Sequence, residues 1–144
     1  MSENFQKPDV SRAQLETLIK TYQETVKRIR KGDDSGVASD YDPDFDSKSV
    51  WFPRKAVEAL FNDNDADGVR IYFGVHNADV IPTPYDDRLT VVLVATKLED
   101  GRNVDQLKGD DDSNDNDDKD SNDDGEGGPG YGLNHGKLCP PYCE

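Results

Sequence analysis

Residues 63–68, DNDADG, match the opening D-x-D-x-D-G of a calcium-binding loop. In such a loop, carboxylate oxygens at alternate positions converge on the cation, and the glycine permits a sharp turn. The second half does not match, because an arginine takes the eighth position and Gly74 the twelfth, where a bidentate Glu belongs. Two interpretations remain: a shortened Ca²⁺ site at Asp63, Asp65 and Asp67 with ligands from elsewhere, or a plain turn between a helix and a strand.

A second D-x-[DN]-x-D-G match covers residues 120–125, DSNDDG. It lies in a segment so rich in Asp that a chance match is expected. The segment is either a solvated spacer or a weak calcium site, since a loop without fixed structure loses conformational entropy when it binds.

Three possible ligands of a different kind lie near the C-terminus, where His135, Cys139 and Cys143 follow one another at intervals of four. Imidazole and thiolate are the ligands that Zn²⁺ prefers, and a fourth would have to come from elsewhere, such as His76 or an Asp. The two cysteines could instead close a small disulfide loop, with the prolines between them shaping the turn. A third alternative buries both thiols against the sheet.

Enzymatic motifs are missing from the sequence. It has two histidines, no Gly-rich phosphate loop, no H-E-x-x-H and no G-x-S-x-G. A nucleophile pair of His135 and Cys139 has no evident pocket. We therefore predict no enzymatic activity and no catalytic residue.

The charge of the chain is concentrated in one run. The 144 residues carry a net charge of −14, of which −9 falls on residues 110–126, so the rest carries −5. Such a run cannot bury enough apolar surface to fold, and we expect a disordered loop. Strong negative charge argues against binding to nucleic acid or to anionic membranes.

The organisation that follows is a core domain over residues 1–109, an acidic loop over 110–130 and a tail over 131–144. The tail holds apolar residues and prolines, so we expect it to dock on the core. We find no secretory signal and no stretch of roughly 20 apolar residues that could span a bilayer. We therefore expect a cytoplasmic protein.

The first helix is predicted over residues 11–31. Ser11 and Gln14 fit a capping box, apolar residues follow at helical spacing, and Gly32 can end the helix. A second helix is predicted over residues 53–62, because proline suits the first helical position and an apolar face follows.

Two strands are predicted over residues 68–76 and 89–97. In the first, apolar and polar side chains alternate, and the second contains a run that is apolar on both faces. The fold class is therefore α+β, a small antiparallel sheet packed by the two helices. Because two strands alone are marginal, we predict a further strand from residues 48–52 or from the tail.

Three segments together resemble a group of short bacterial proteins: GVRIYFG at residues 68–74, TVVLVAT at 90–96 and LNHGKLCPPYC at 133–143. In that group a G-[IV]-R-[IV]-Y-[FY]-G strand precedes a V-L-V-rich strand, and the chain ends in C-P-P-x-C. The resemblance implies an architecture, but it implies no activity. The acidic insertion before the tail departs from the pattern of the group.

Three functions are compatible with these features. We favour a protein-binding or assembly module with an unidentified protein partner. The alternative is a metal-responsive protein that binds Ca²⁺ through the Asp-rich loops or Zn²⁺ through the tail. A weaker alternative is an acidic mimic of nucleic acid.

Overall fold

The computed structural model of the chain describes residues 9–108, 129–134 and 136–144. Within these residues it has two α-helices and five β-strands in small antiparallel sheets, which confirms the α+β class. The helices are α1 (Arg12–Thr25) and α2 (Arg54–Asp63); the strands are β1 (Ser49–Trp51), β2 (Gly68–Val75), β3 (Leu89–Glu99), β4 (Arg102–Asp105) and β5 (Lys137–Cys139). The acidic run 110–126 lies outside the described residues, so its predicted disorder stays a prediction.

The chain divides into two compact units, and the first ends at Pro43. Its helix α1 begins with the predicted capping box: the Ser11 hydroxyl accepts from the Gln14 N–H at 3.1 Å, and the Gln14 side chain accepts from the Ser11 N–H at 2.9 Å. The helix ends at Thr25, six residues before the predicted end. Val26 is extended, and Arg28 exchanges two main-chain hydrogen bonds with Ser39.

The early end of α1 has a local cause. Thr25 and Val26 are consecutive β-branched residues, which lose side-chain freedom in a helix and favour extended backbone. No residue of α1 is buried. The predicted packing of this helix on the sheet stays a prediction.

The second unit, Asp44–Glu144, contains both sheets. Strands β2, β3 and β4 form one antiparallel sheet in that order, and β1 pairs with β5 in the other. Asp100 and Gly101 both have positive φ, as a tight turn between β3 and β4 requires. Strands therefore exist at both places that the sequence offered for a further strand, residues 48–52 and the tail, but they pair with each other. The third strand of the main sheet is Arg102–Asp105, which the sequence did not predict.

One face of the main sheet, here called the helix face, packs against α2. Its core is formed by Ala56 and Leu60 from α2, Leu93 and Ala95 from β3, and Leu133 from the tail. All five side chains are buried, and Leu60 is completely so. The apolar residues spaced along one side of α2 therefore pack on the sheet, as the sequence predicted for the second helix.

The other face of the sheet is covered by a polar network. Arg70 on β2 forms an ion pair with Asp105 on β4, and the Tyr72 hydroxyl donates to the same carboxylate. Because Arg70 pairs with Val94 and Asp105 with Thr96, the ion pair crosses β3 above two buried side chains. The hydrogen bond with Tyr72, followed by the charge of Asp105, raises the pKa of the Arg70 guanidinium above its ordinary value.

The tail docks on the unit at two places, as the sequence predicted. Leu133 exchanges two main-chain hydrogen bonds with Leu93, at 2.8 and 2.9 Å, on the side of β3 where β4 also pairs. Further on, Leu138 of β5 is fully buried beside β1. A Cβ on Gly136 would lie 2.9 Å from Phe52 Cζ, so only glycine allows this close approach.

Replacement of Leu133 with Ala should destabilise the protein by about 2–5 kcal/mol, because it leaves a cavity in a core where this side chain is 1% exposed. Leu98→Ala is the matched control. Its side chain is 60% exposed, so we expect a change within about 0.5 kcal/mol. Urea denaturation of the full chain measures both, and equal effects would contradict the docking of the tail.

Candidate functional site

The turn from Asp63 to Gly68 is closed by hydrogen bonds within the protein. Leu98 N–H donates to the Asp67 carboxylate at 2.9 Å, and Lys97 Nζ lies 3.1 Å from the Asp65 carboxylate. Asn64 accepts from the Gly130 N–H at 2.8 Å and donates to the Leu60 carbonyl at 2.8 Å. The turn thus connects α2 to β3 and to Gly130, the residue before the tail.

This geometry does not gather the three predicted calcium ligands. Asp65 and Asp67 each have a protein partner. Across the described residues, no three His, Cys, Asp or Glu side chains are close enough to hold a metal ion. The arrangement is that of a helix-to-strand turn, the alternative that the sequence left open. Calcium binding at Asp63, Asp65 and Asp67 stays a prediction.

The two cysteines of the tail, Cys139 and Cys143, form a disulfide bond. This is one of the three arrangements that the sequence allowed, and a bridged pair cannot supply thiolates to Zn²⁺. His135 lies outside the described residues, so its place relative to the bridge is not described. A zinc site at His135, Cys139 and Cys143 would require prior reduction and stays a prediction.

An aromatic pair lies beside the bridge. Lys137 Nζ is 5.5 Å from the centroid of the Trp51 ring and 5.3 Å from that of the Tyr142 ring. These distances are typical of cation–π contacts. The pair is therefore already occupied by a cation of the same chain, and it fastens β5 and the last residues to β1.

Sequence reasoning missed an exposed row of apolar side chains among the described residues of the second unit. Four apolar residues of β2 lie in a row on the helix face of the main sheet: Val69, Ile71, Phe73 and Val75. We call these four residues the β2 surface. Their register partners on β3, among them Leu93 and Ala95, are covered by α2, but they themselves are not. Their exposed fractions are 40, 52, 90 and 49%, respectively.

The main chain of these four residues also faces outward. Leu93 uses both of its main-chain groups to bond Leu133, on the side of β3 away from β2. Main-chain groups alternate sides along an antiparallel strand, so the neighbouring residues of β3, including Val92 and Val94, bond β2 instead. Val92 and Val94 pair with Tyr72 and Arg70 on β2, so these two residues direct their main-chain groups toward β3. The residues that alternate with them, which are the four of the β2 surface, direct their main-chain groups toward the open edge of the sheet.

Comparison with known proteins gives no further guide. No model of a protein family matches the chain, and no match was found among characterised proteins or among solved structures. The resemblance to the group of short bacterial proteins stays a prediction. Neither described helix has the length and apolar character needed to cross a bilayer.

Replacement of Asp67 with Ala should lower the free energy of unfolding by about 1 kcal/mol, because the Leu98 N–H loses its acceptor. Asp63→Ala is the control. It removes a carboxylate from the C-terminal end of α2, where negative charge is unfavourable, so the change should be neutral or slightly stabilising. Thermal melts with and without Ca²⁺ separate this account from a calcium site, in which both substitutions would abolish a calcium-dependent rise in melting temperature.

Reduction of the disulfide should lower the free energy of unfolding by about 2 kcal/mol, as expected for a loop of so few residues. The double variant Cys139→Ser and Cys143→Ser should lose the same amount and should no longer respond to reductant. Native mass spectrometry of the reduced protein with Zn²⁺ tests the alternative. Stoichiometric zinc that is lost in the double variant would establish the zinc site of the reduced form.

Proposed function

We propose that the chain is a non-enzymatic protein-binding or assembly module that binds through the β2 surface. The observation that supports the proposal is an edge strand of eight residues whose apolar side chains and main-chain groups face outward together. Exposed apolar edges of this length are rare in proteins that act alone, because they template pairing with another chain.

The chemistry of the β2 surface suits addition of a strand. A partner strand would bond the outward main-chain groups, and the alternate side chains would supply specificity. Phe73 is 90% exposed and would contribute the largest apolar area, since a buried aromatic side chain removes on the order of 150 Å² from water. β2 carries no acidic residue, although the whole chain has a net charge of −14.

No observation of comparable weight favours the other functions. The metal-responsive alternative would need carboxylates or thiolates that the described turn and tail use within the protein. The acidic mimic would depend on the run 110–126, which lies outside the described residues. Both remain hypotheses that the measurements above and a deletion of the run can test.

The location of the protein bears on the state of its cysteines. A cytoplasmic location, which the sequence favours, keeps most thiols reduced, whereas disulfides persist in oxidising compartments. The Cys139–Cys143 bridge therefore counts against the cytoplasm. Alkylation of free thiols in intact cells decides between the two locations. Alkylated cysteines would indicate a reducing compartment, and unmodified, bridged cysteines an oxidising one.

A photoactivated crosslinker, p-benzoylphenylalanine, at position 73 should form a discrete protein adduct in cells that express the chain. The same reagent at position 80 is the control, because Val80 is 75% exposed but lies outside the strands. An adduct at 73 that disappears when Ile71→Lys is added supports binding through the β2 surface. No adduct at 73, or equal adducts at 73 and 80, would count against it.

A further inference from the structure

We infer that the partner of the β2 surface is a second copy of this chain, whose β2 pairs with it antiparallel about a two-fold axis at Tyr72. The inference rests on the proposed function, because it names the partner of the same surface. It joins the two three-stranded sheets into one continuous six-stranded sheet. Closed two-fold pairing is the commonest symmetry of protein assemblies.

The spacing of the strand carries the inference. In an antiparallel pair centred on Tyr72, Val69 lies opposite Val75 of the second copy, and Ile71 lies opposite Phe73. These four are the residues whose main-chain groups face the open edge, so each opposed pair can exchange two hydrogen bonds. All eight apolar side chains then lie in one row on the same face of the joined sheet.

The other face accepts the same register. Arg70, the only charged residue of β2, falls opposite Gly74 of the second copy, where no side chain obstructs it and no like charge meets it. Tyr72 lies opposite its own copy at the axis. About Tyr72 the strand is therefore nearly palindromic in side-chain character. Apolar residues lie opposite apolar residues, and the large Arg70 lies opposite a glycine.

The neighbouring registers are worse. An axis at Ile71 places Val75 opposite Asp67, so an apolar side chain meets a carboxylate. An axis at Phe73 places Val69 opposite Asn77 and Arg70 opposite His76. An axis at Arg70 brings two guanidinium groups together, which is destabilising for residues directly opposite each other.

The expected affinity is modest. A pair of eight-residue strands buries less than the roughly 800 Å² per partner of a stable interface, so we expect a Kd of about 1–100 µM. Two copies of net charge −14 also repel each other, whereas β2 itself is free of acidic residues. Salt should therefore strengthen the dimer, because the repulsion acts over distances that salt screens.

Sedimentation velocity of the full chain over a concentration series, up to about 200 µM, tests the inference. We expect a mass that rises from 16.0 kDa toward twice that value, and rises further in higher salt. Ile71→Lys and Phe73→Glu should each weaken the dimer about tenfold or more. Val80→Lys should leave it unchanged, because it adds the same charge at an exposed position outside the strand.

Mixing the variants tests the register. The variant Ile71→Lys should form a mixed dimer with Phe73→Glu, because the new charges lie opposite each other across the axis. It should not do so with Val69→Glu, whose position faces residue 75. Circular dichroism checks that each variant is folded, and amide hydrogen exchange of the unaltered protein supplies a readout that needs no substitution. The amides of Ile71 and Phe73 should become protected as concentration rises.

Three outcomes would overturn the inference: a monomer at every concentration, a dimer that Ile71→Lys does not weaken, or rescue by Val69→Glu as good as that by Phe73→Glu. Amide protection of β2 that is independent of concentration would also overturn it. The crosslink at position 73 separates this failure from that of the proposed function. An adduct with a different protein retains a binding module and rejects the second copy, whereas no adduct rejects both.

Discussion

The return of the tail onto β3 is the contact on which the second unit depends. Leu60, Leu133 and Leu138 are its largest fully buried side chains, and the last two come from the tail. Without Leu133, the helix face would be a ten-residue helix on three strands, which is a small core for a domain of this length. The two main-chain hydrogen bonds between Leu133 and Leu93 also fix the tail in register with the sheet.

Buried polar groups reinforce the same closure. Arg88, 8% exposed, places its guanidinium carbon 5.5 Å from the centroids of both the Phe45 and the Tyr85 rings, and its side chain donates to the Pro140 carbonyl. Ser47 donates to the Leu89 carbonyl at 2.6 Å. Hydrogen bonds to charged groups contribute more than neutral ones, and a buried guanidinium without acceptors would be costly. The tail thus completes an apolar core and also supplies an acceptor for a buried cation.

The sequence predicted the helices and strands better than it predicted which strands pair with one another. The capping box, α2 and the strands β2 and β3 follow from local spacing and were confirmed. The third strand of the main sheet was not predicted, because β4 has four residues, too few for a clear alternation. The D-x-D-x-D-G spacing shows which carboxylates are close in sequence. It does not show their partners on β3, which decide where the side chains of Asp65 and Asp67 point. Cysteines four apart fit three arrangements chemically, and only the path of the tail selects among them.

Alternation in β2 predicted an apolar face and a polar face, but it could not show that α2 would cover the apolar face of β3 and leave that of β2 exposed. The two edges of the main sheet are treated differently. β4 is short, and its Asp105 is engaged in an ion pair, whereas β2 is twice as long and apolar. Alternation along the strand places Arg70, the only charged side chain of β2, on the face opposite α2, where it pairs with Asp105. The helix face of this edge therefore has no charge to oppose pairing, and charge is the usual protection of an exposed edge. The polar network thus engages the one charged side chain of β2, and the apolar row beside the open edge carries no charge that would oppose an added strand.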